Sequence, residues 1–431
     1  MKHRLYLKSS LWLAIEKVFM LLKGLIFAYL LARLVGPEGF GEYYVGLSLV
    51  GVAGAIVAMG LDPVLQRELA ALPTGSLRAA FHAGALIRLS VWLGLLPVLW
   101  VALHSGVLSD VPVELVLCLY LSQLAIVVGI TQIDLRFQGF GVVIAKSTVL
   151  AGACALLGIV VGFAFEFGLL YFGSIYSGEQ LLRGLLLRRA SRNEVQQGNL
   201  DGVADLAKRL LFPGLQMAVI AVLVAIYARV DQVMLASMRS VEEAGLYSAS
   251  ARLLELGAMF PILLIHGVGP LLYQENRSRS VPAKRAWALF LKLGGFLLLW
   301  SMIVVMCYAG FPAPLLRMLF GEEFVAGSVF LAWLAPCVLP LVLIPLVSVM
   351  ANSTGSAFCL IVGSVVGCAT NVILNLILIP EQGGVGAAIA SLISYLIVIV
   401  LQGLSLWMHY RNKVHECREE QSHPKRLPIE L

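Results

Sequence analysis

The sequence predicts an all-α integral membrane protein, with twelve transmembrane helices arranged as two six-helix lobes around a central cavity. Three observations carry this expectation. Hydrophobic residues make up 60% of the 431-residue chain and charged residues only 13%, with a mean hydropathy of +0.90. The apolar residues fall into continuous runs of about 20, the length that takes a helix across a bilayer, whereas barrel strands would alternate over about 10. Lys and Arg are also distributed by side. With the N-terminus inside, and residues near span ends counted with the adjoining side, 22 of them fall inside and 3 outside, a positive-inside bias that sets both termini on the cytoplasmic side. The net charge of +6 therefore reports topology rather than nucleic-acid binding.

The spans read as 10–35, 42–61, 83–103, 112–132, 141–162, 165–187, 211–230, 246–270, 286–309, 325–350, 357–379 and 383–409. Lipid offers no hydrogen-bond partners, so each must satisfy its own backbone as a helix. The first follows Met1-Lys2-His3-Arg4 directly and is too long for a signal h-region, with no small-residue cleavage site. The segment 62–82, after the second span, includes a candidate short surface helix. The organisation expected is an N-terminal lobe over 1–187, a basic cytoplasmic linker over 188–209, a C-terminal lobe over 210–409 and a cytoplasmic tail over 410–431. A shift of 204 residues aligns Leu31, Ala32, Glu38, Gly41 and Tyr43 with Leu235, Ala236, Glu242, Gly245 and Tyr247. Both sets fall at the outer turn after the first span of their half, which suggests a parallel repeat about an axis along the membrane normal.

Ionisable residues inside spans are costly and face a cavity or a partner. In span one, Glu16 and Lys23 lie seven residues apart on one helical face, too far along the axis to pair with each other. Lys17 lies off that face and can snorkel. Arg88 in span three and Lys292 in span nine read as snorkelling residues near the inner face. In span six, Glu179 and Arg183 have i,i+4 spacing and read as a structural pair. Span seven ends on Asp231, a candidate cation site, and Asp62 and Arg67 after span two are candidates for coupling or gating. In span eight, Arg252, Glu255, Met259 and His266 share one stripe, with Arg252 and Glu255 spaced to pair. Lys23, Arg252, Glu16, Glu255 and His266 are the candidate substrate-binding set. Basic groups in a dry cavity attract phosphate, and arginine grips it with two hydrogen bonds.

No catalytic constellation is present: there is no GxSxG, HExxH or Walker A sequence. Outer loops are short, and an enzyme is not expected. The seven cysteines are scattered without a CxxC pair, so neither a metal nor a disulfide role is expected. No cofactor is expected either. Without a nucleotide site, transport would be driven by an ion or substrate gradient.

Several segments carry a family resemblance. Leu31-Ala32-Arg33-Leu34-Val35-Gly36-Pro37-Glu38-Gly39-Phe40-Gly41-Glu42-Tyr43 is similar to the first-loop signature of polysaccharide-unit (O-antigen-unit) flippases. So are Gly60-Leu61-Asp62 through Arg67-Glu68-Leu69-Ala70, and Ala244-Gly245-Leu246-Tyr247-Ser248-Ala249. Asn371-Val372-Ile373-Leu374-Asn375-Leu376, then Ile379-Pro380 and Gly386-Ala387-Ala388-Ile389-Ala390-Ser391, resemble a pattern shared across the multidrug/oligosaccharidyl-lipid/polysaccharide exporter superfamily. The resemblance implies a twelve-helix, two-lobe flippase that moves an undecaprenyl-pyrophosphate oligosaccharide across a bacterial inner membrane by alternating access. Cationic cavity residues, here Lys23 and Arg252, would hold the pyrophosphate. The implied partners are the lipid-linked substrate, the bilayer, H⁺ or Na⁺ as coupling ion, and a polysaccharide polymerase. Related lipid II flippases carry several arginines in the first helix. This chain has Lys23 there and no arginine in that span before Arg33, which argues against lipid II. The alternatives are a cation-coupled multidrug exporter of the same superfamily and a non-transporting scaffold for polysaccharide assembly.

Overall fold

The structure is a computed structural model that describes residues 2–69, 77–105, 110–191, 202–277, 282–354 and 357–422. Among these residues every regular element is helical and there is no strand. The first half holds α1 (Lys2–Ala58), α2 (Leu61–Leu69), α3 (Leu77–His104), α4 (Val113–Leu121), α5 (Leu124–Val128), α6 (Gln132–Phe137), α7 (Gly141–Ala164) and α8 (Leu169–Ala190). The second holds α9 (Val203–Tyr227), α10 (Val230–Met238), α11 (Val241–Arg277), α12 (Pro282–Gly310), α13 (Pro312–Leu319), α14 (Ser328–Leu334), α15 (Val338–Thr354) and α16 (Ala357–Ser422).

Nine helical stretches among the described residues are long and apolar enough to cross a membrane, so the chain is a multi-pass membrane protein. The count by that measure is nine, against the twelve spans read from the sequence, and the reasons are local. The stretches Ile15–Gln66 (52 residues) and Leu360–Met408 (49 residues) each contain a break. In α1 the break is Gly36, at φ 65 and ψ −173, a region glycine enters without penalty. Pro37 follows it and disfavours helical geometry at the residue before it. In α16 the break is Gly383, at φ 55 and ψ −134. The remaining difference is α8, which has 22 residues but carries Glu179, Arg183, Arg188 and Arg189. The expected surface helix after span two is α2. The edges of the expected linker are helical, as α8 runs to Ala190 and α9 starts at Val203. The expected tail begins as helix, because α16 continues to Ser422.

α1 packs along α11 and against α7, while α11 packs on α15 and α16 folds against α15, α9 and α10. One buried cluster joins the two halves of the sequence, including Leu31, Phe40, Tyr43 and Tyr44 of α1 with Tyr247, Leu253 and Ala258 of α11. The outward faces are apolar: Val98, Leu157, Leu299, Met306 and Leu404 are all exposed. In lipid this carries no penalty, but burying apolar surface then gives little drive for helix association. Close backbone packing must supply it. Gly41 and Gly245 show how. A Cβ on Gly41 would lie 2.0 Å from the Val241 carbonyl oxygen, and one on Gly245 would lie 1.9 Å from that of Pro37. The 204-residue shift maps Gly41 onto Gly245 and Pro37 onto Val241, so the contact is reciprocal, like an isologous interface. The weak sequence repeat thus marks a place where the backbones of the two halves meet closely.

Candidate functional site

Span-one residues Glu16 and Lys23 are both buried, at 3% and 8% exposure, and they face α8 as their shared stripe predicts. Lys23 Nζ forms an ion pair with Glu179. One rung away on the same pair of helices, Arg183 lies 3.8 Å from Glu16. The expected intrahelical Glu179–Arg183 pair is therefore replaced by two pairs across antiparallel helices, of opposite polarity. Each buried charge finds a counter-ion at its own depth, which removes the cost of an isolated charge in the interior. With the Gln132 amide turned so that its oxygen faces them, Arg136 and Arg183 donate to it at 3.0 and 3.2 Å.

Arg252 and Glu255 of α11 pair at 2.8 Å, as their spacing predicts. The Arg252 guanidinium also stacks over Tyr44 of α1, 4.8 Å from the ring centre. Lys23 and Arg252, both in the expected substrate-binding set, line one cavity of about 360 Å³ between α1, α7, α8 and α11. Tyr43, Tyr44, Tyr176, Glu179, Gln180 and Glu255 line it too. Its formal charges balance as two cations and two carboxylates. The two pairs differ, however, in how easily they can part. The side chains of Lys23 and Glu179 are 9% and 4% exposed, so neither can release the other without leaving a buried charge. The Glu255 side chain is 51% exposed, so it is held less tightly than Glu179. Arg252 Nε and Nη2 are buried with no hydrogen-bond partner, as is the Tyr43 hydroxyl. Arg252 is thus the cation with donors to spare, and the wall suits an anion with several acceptor oxygens.

The other expected site residues lie elsewhere. Asp231 is buried at the start of α10 and does not line this cavity. Its carboxylate accepts the Tyr247 hydroxyl at 2.6 Å, the Ser391 hydroxyl at 3.3 Å and the Gln232 amide at 2.8 Å. Asn375 donates to Asn371 at 3.0 Å and Asn371 to Ser391 at 3.4 Å, which extends the network. Asn375 Oδ1 is buried without a partner. Asp62 is half-exposed and pairs with Arg88. Arg88, expected to snorkel, is instead buried, because it also donates to the carbonyls of Ala58 at 3.3 Å and Ile126 at 3.0 Å. It closes the C-terminal end of α1 rather than reaching for the interface. The side chains of Arg67 and His266 lie outside the described residues. Sequence reasoning missed the part played by Tyr43, Tyr44 and Tyr176, since aromatic residues in an apolar run read as lipid-facing or core. The adjacent tyrosines Tyr43 and Tyr44, at the end of the first-loop motif, were the available signal.

No match is found among curated protein sequences. Among solved structures the chain resembles "Lipid II flippase MurJ, inward closed conformation", with a TM-score of 0.73 at 13% identity over 93% of this chain and 89% of that one. It also resembles an inward-facing "multidrug resistance MATE family transporter of the MOP superfamily", with a TM-score of 0.69 at 12% identity over 90% and 95%. A third similar structure, from Pyrococcus furiosus, is titled "Reverse polarity of binding pocket suggests different function of a MOP superfamily transporter"; it aligns with a TM-score of 0.64 at 13% identity over 94% and 96%. At these identities the likeness establishes the fold. The profile of the family described as "Polysaccharide biosynthesis protein" matches residues 6–274, more than half of the chain, and the protein therefore belongs to that family.

Proposed function

We propose that the protein is a flippase that moves a lipid-linked oligosaccharide, of the undecaprenyl-pyrophosphate class, from the cytoplasmic to the outer leaflet of a bacterial inner membrane. The observation that carries this reading is Arg252: a cavity-lining guanidinium with two buried, unpartnered donors and a half-exposed counter-ion. A pyrophosphate offers the acceptor oxygens that would satisfy it, with the Tyr43 hydroxyl as a further donor. The family assignment supports a saccharide cargo, and the lipid tail would stay in the bilayer beside the apolar outer face.

In this reading the two halves of the sequence are lobes that rock about the Gly41–Gly245 contact. Splitting the two longest stretches at Gly36 and Gly383, and counting α8, gives the twelve crossings and the cytoplasmic termini that the Lys/Arg distribution favours. Lys23 and Glu179 hold α1 to α8 and set the field in the cavity, while Arg252 takes the phosphate. The Asp231 network, with its spare Asn375 oxygen, is the place where H⁺ or Na⁺ would couple to the movement. Asp62, locked to Arg88, would act on gating through the end of α1. A polysaccharide polymerase would take the product.

The test is flipping of a fluorescent undecaprenyl-pyrophosphate oligosaccharide in proteoliposomes, with wild type beside Arg252→Ala and Lys23→Ala. Wild type should flip it and the folded Arg252→Ala protein should not. No flipping by wild type, with cation-dependent efflux of a dye instead, would move the protein to the multidrug exporters. Neither activity would leave the scaffold reading.

A further inference from the structure

A second, larger cavity of about 540 Å³ lies between the start of α3, the end of α5 with the segment after it, and the end of α8. Arg78 and His82 line it from α3, and Arg188, Arg189 and Ser191 from the end of α8. No carboxylate is among its described lining residues, and Arg188 and Arg189 stand exposed at its edge. His82 donates its Nδ1 hydrogen to the Arg78 carbonyl at 2.8 Å, which leaves the other ring nitrogen available. The Thr131 hydroxyl, also on the wall, is buried without a hydrogen-bond partner.

The helices that bring these polar groups together also carry apolar neighbours in register. On α3, Leu86 lies four residues after His82 and is 56% exposed; on α8, Leu185 lies four residues before Arg189 and is 55% exposed. Residues at this spacing share a helix face. Each basic residue therefore sits one turn beyond an exposed leucine, at the point where α3 enters its apolar stretch and α8 leaves the bundle. A ligand that fits both features has an anionic head and an apolar tail.

We propose that this cavity binds the phosphate headgroup of an anionic membrane phospholipid, whose acyl chains run along Leu86 and Leu185. Basic pockets between helix ends at a membrane surface suit such headgroups. The site is separate from the Arg252 cavity, and its occupant would be a resident lipid that holds α3 against α8 rather than transported cargo.

The test is native mass spectrometry of the full-length protein, titrated with phosphatidylglycerol and with phosphatidylcholine. Wild type should prefer phosphatidylglycerol for its first bound lipid. The preference should fall about fivefold for each arginine removed in Arg78→Gln, Arg188→Gln and Arg189→Gln. Arg188 and Arg189 are exposed, so their single variants remain informative if the triple variant does not fold. Arg411→Gln, on an exposed part of α16, should leave the preference intact. Equal preference in wild type and the variants would overturn the proposal. So would displacement of the lipid by excess inorganic phosphate, which would make this a site for soluble phosphate.

Discussion

The 204-residue shift sets two unlike sites at matching positions of the two halves of the sequence. In the first half the equivalent positions are Lys23, Phe27 and Tyr43; in the second they are Tyr227, Asp231 and Tyr247. Tyr247 donates to Asp231 at 2.6 Å. Its counterpart Tyr43 meets the ring of Phe27 edge-on at 5.2 Å and keeps its hydroxyl unpartnered. The second-half carboxylate is therefore enclosed by the donors that need it, while the first half leaves a donor spare at a cavity wall. Between them, Gln232 accepts from Ser48 at 3.0 Å and from Ser248 at 3.1 Å, joining α1 to α10 and α11. One helix arrangement thus holds an open cavity on one side and a sealed polar network on the other, and a few side chains decide which.

The largest effect should come from breaking the deepest pair. Lys23→Ala leaves Glu179 buried without a counter-ion and should cost about 3–5 kcal/mol of stability, read by thermal unfolding in detergent. The double variant Lys23→Met with Glu179→Gln should recover most of that loss, because no charge is left stranded. A smaller effect is expected at the seam. Gly41→Ala or Gly245→Ala puts a methyl against backbone and should cost about 1–3 kcal/mol. The double variant should cost less than the sum, since both changes open one contact. The comparison itself is sharpened by the matched tyrosines. Tyr247→Phe should cost about 1–3 kcal/mol by leaving part of Asp231 unsatisfied, whereas Tyr43→Phe should leave stability nearly unchanged. Equal costs at the two positions would show that the halves do not differ in the way described. Least of all, Arg317→Ala should not move the melting temperature, because its pair with Glu322 is exposed.

The helical membrane fold was legible in the sequence because lipid leaves a spanning chain few alternatives, and long apolar runs announce it. The Arg252–Glu255 pair and the shared burial of Glu16 and Lys23 followed from helical spacing alone. The counter-ion of Lys23 did not, since Glu179 lies 156 residues away and its local spacing pointed to Arg183. Spacing along one helix carries no information about which helix lies opposite, or at what depth. The same limit hid Arg88, whose partners come from three separate segments. The glycine repeat was visible as five matches in thirteen positions, but its meaning as a reciprocal contact needed the packing of α1 on α11.

The account rests on Arg252 being the cation that takes the phosphate. Equilibrium binding of a fluorescent undecaprenyl-pyrophosphate oligosaccharide to purified wild type, Arg252→Gln and Tyr247→Phe tests this most directly. Arg252→Gln should weaken binding by at least about 30-fold, as expected for loss of a buried charge-assisted partner, with Tyr247→Phe close to wild type. Binding by Arg252→Gln within about twofold of wild type would contradict the account.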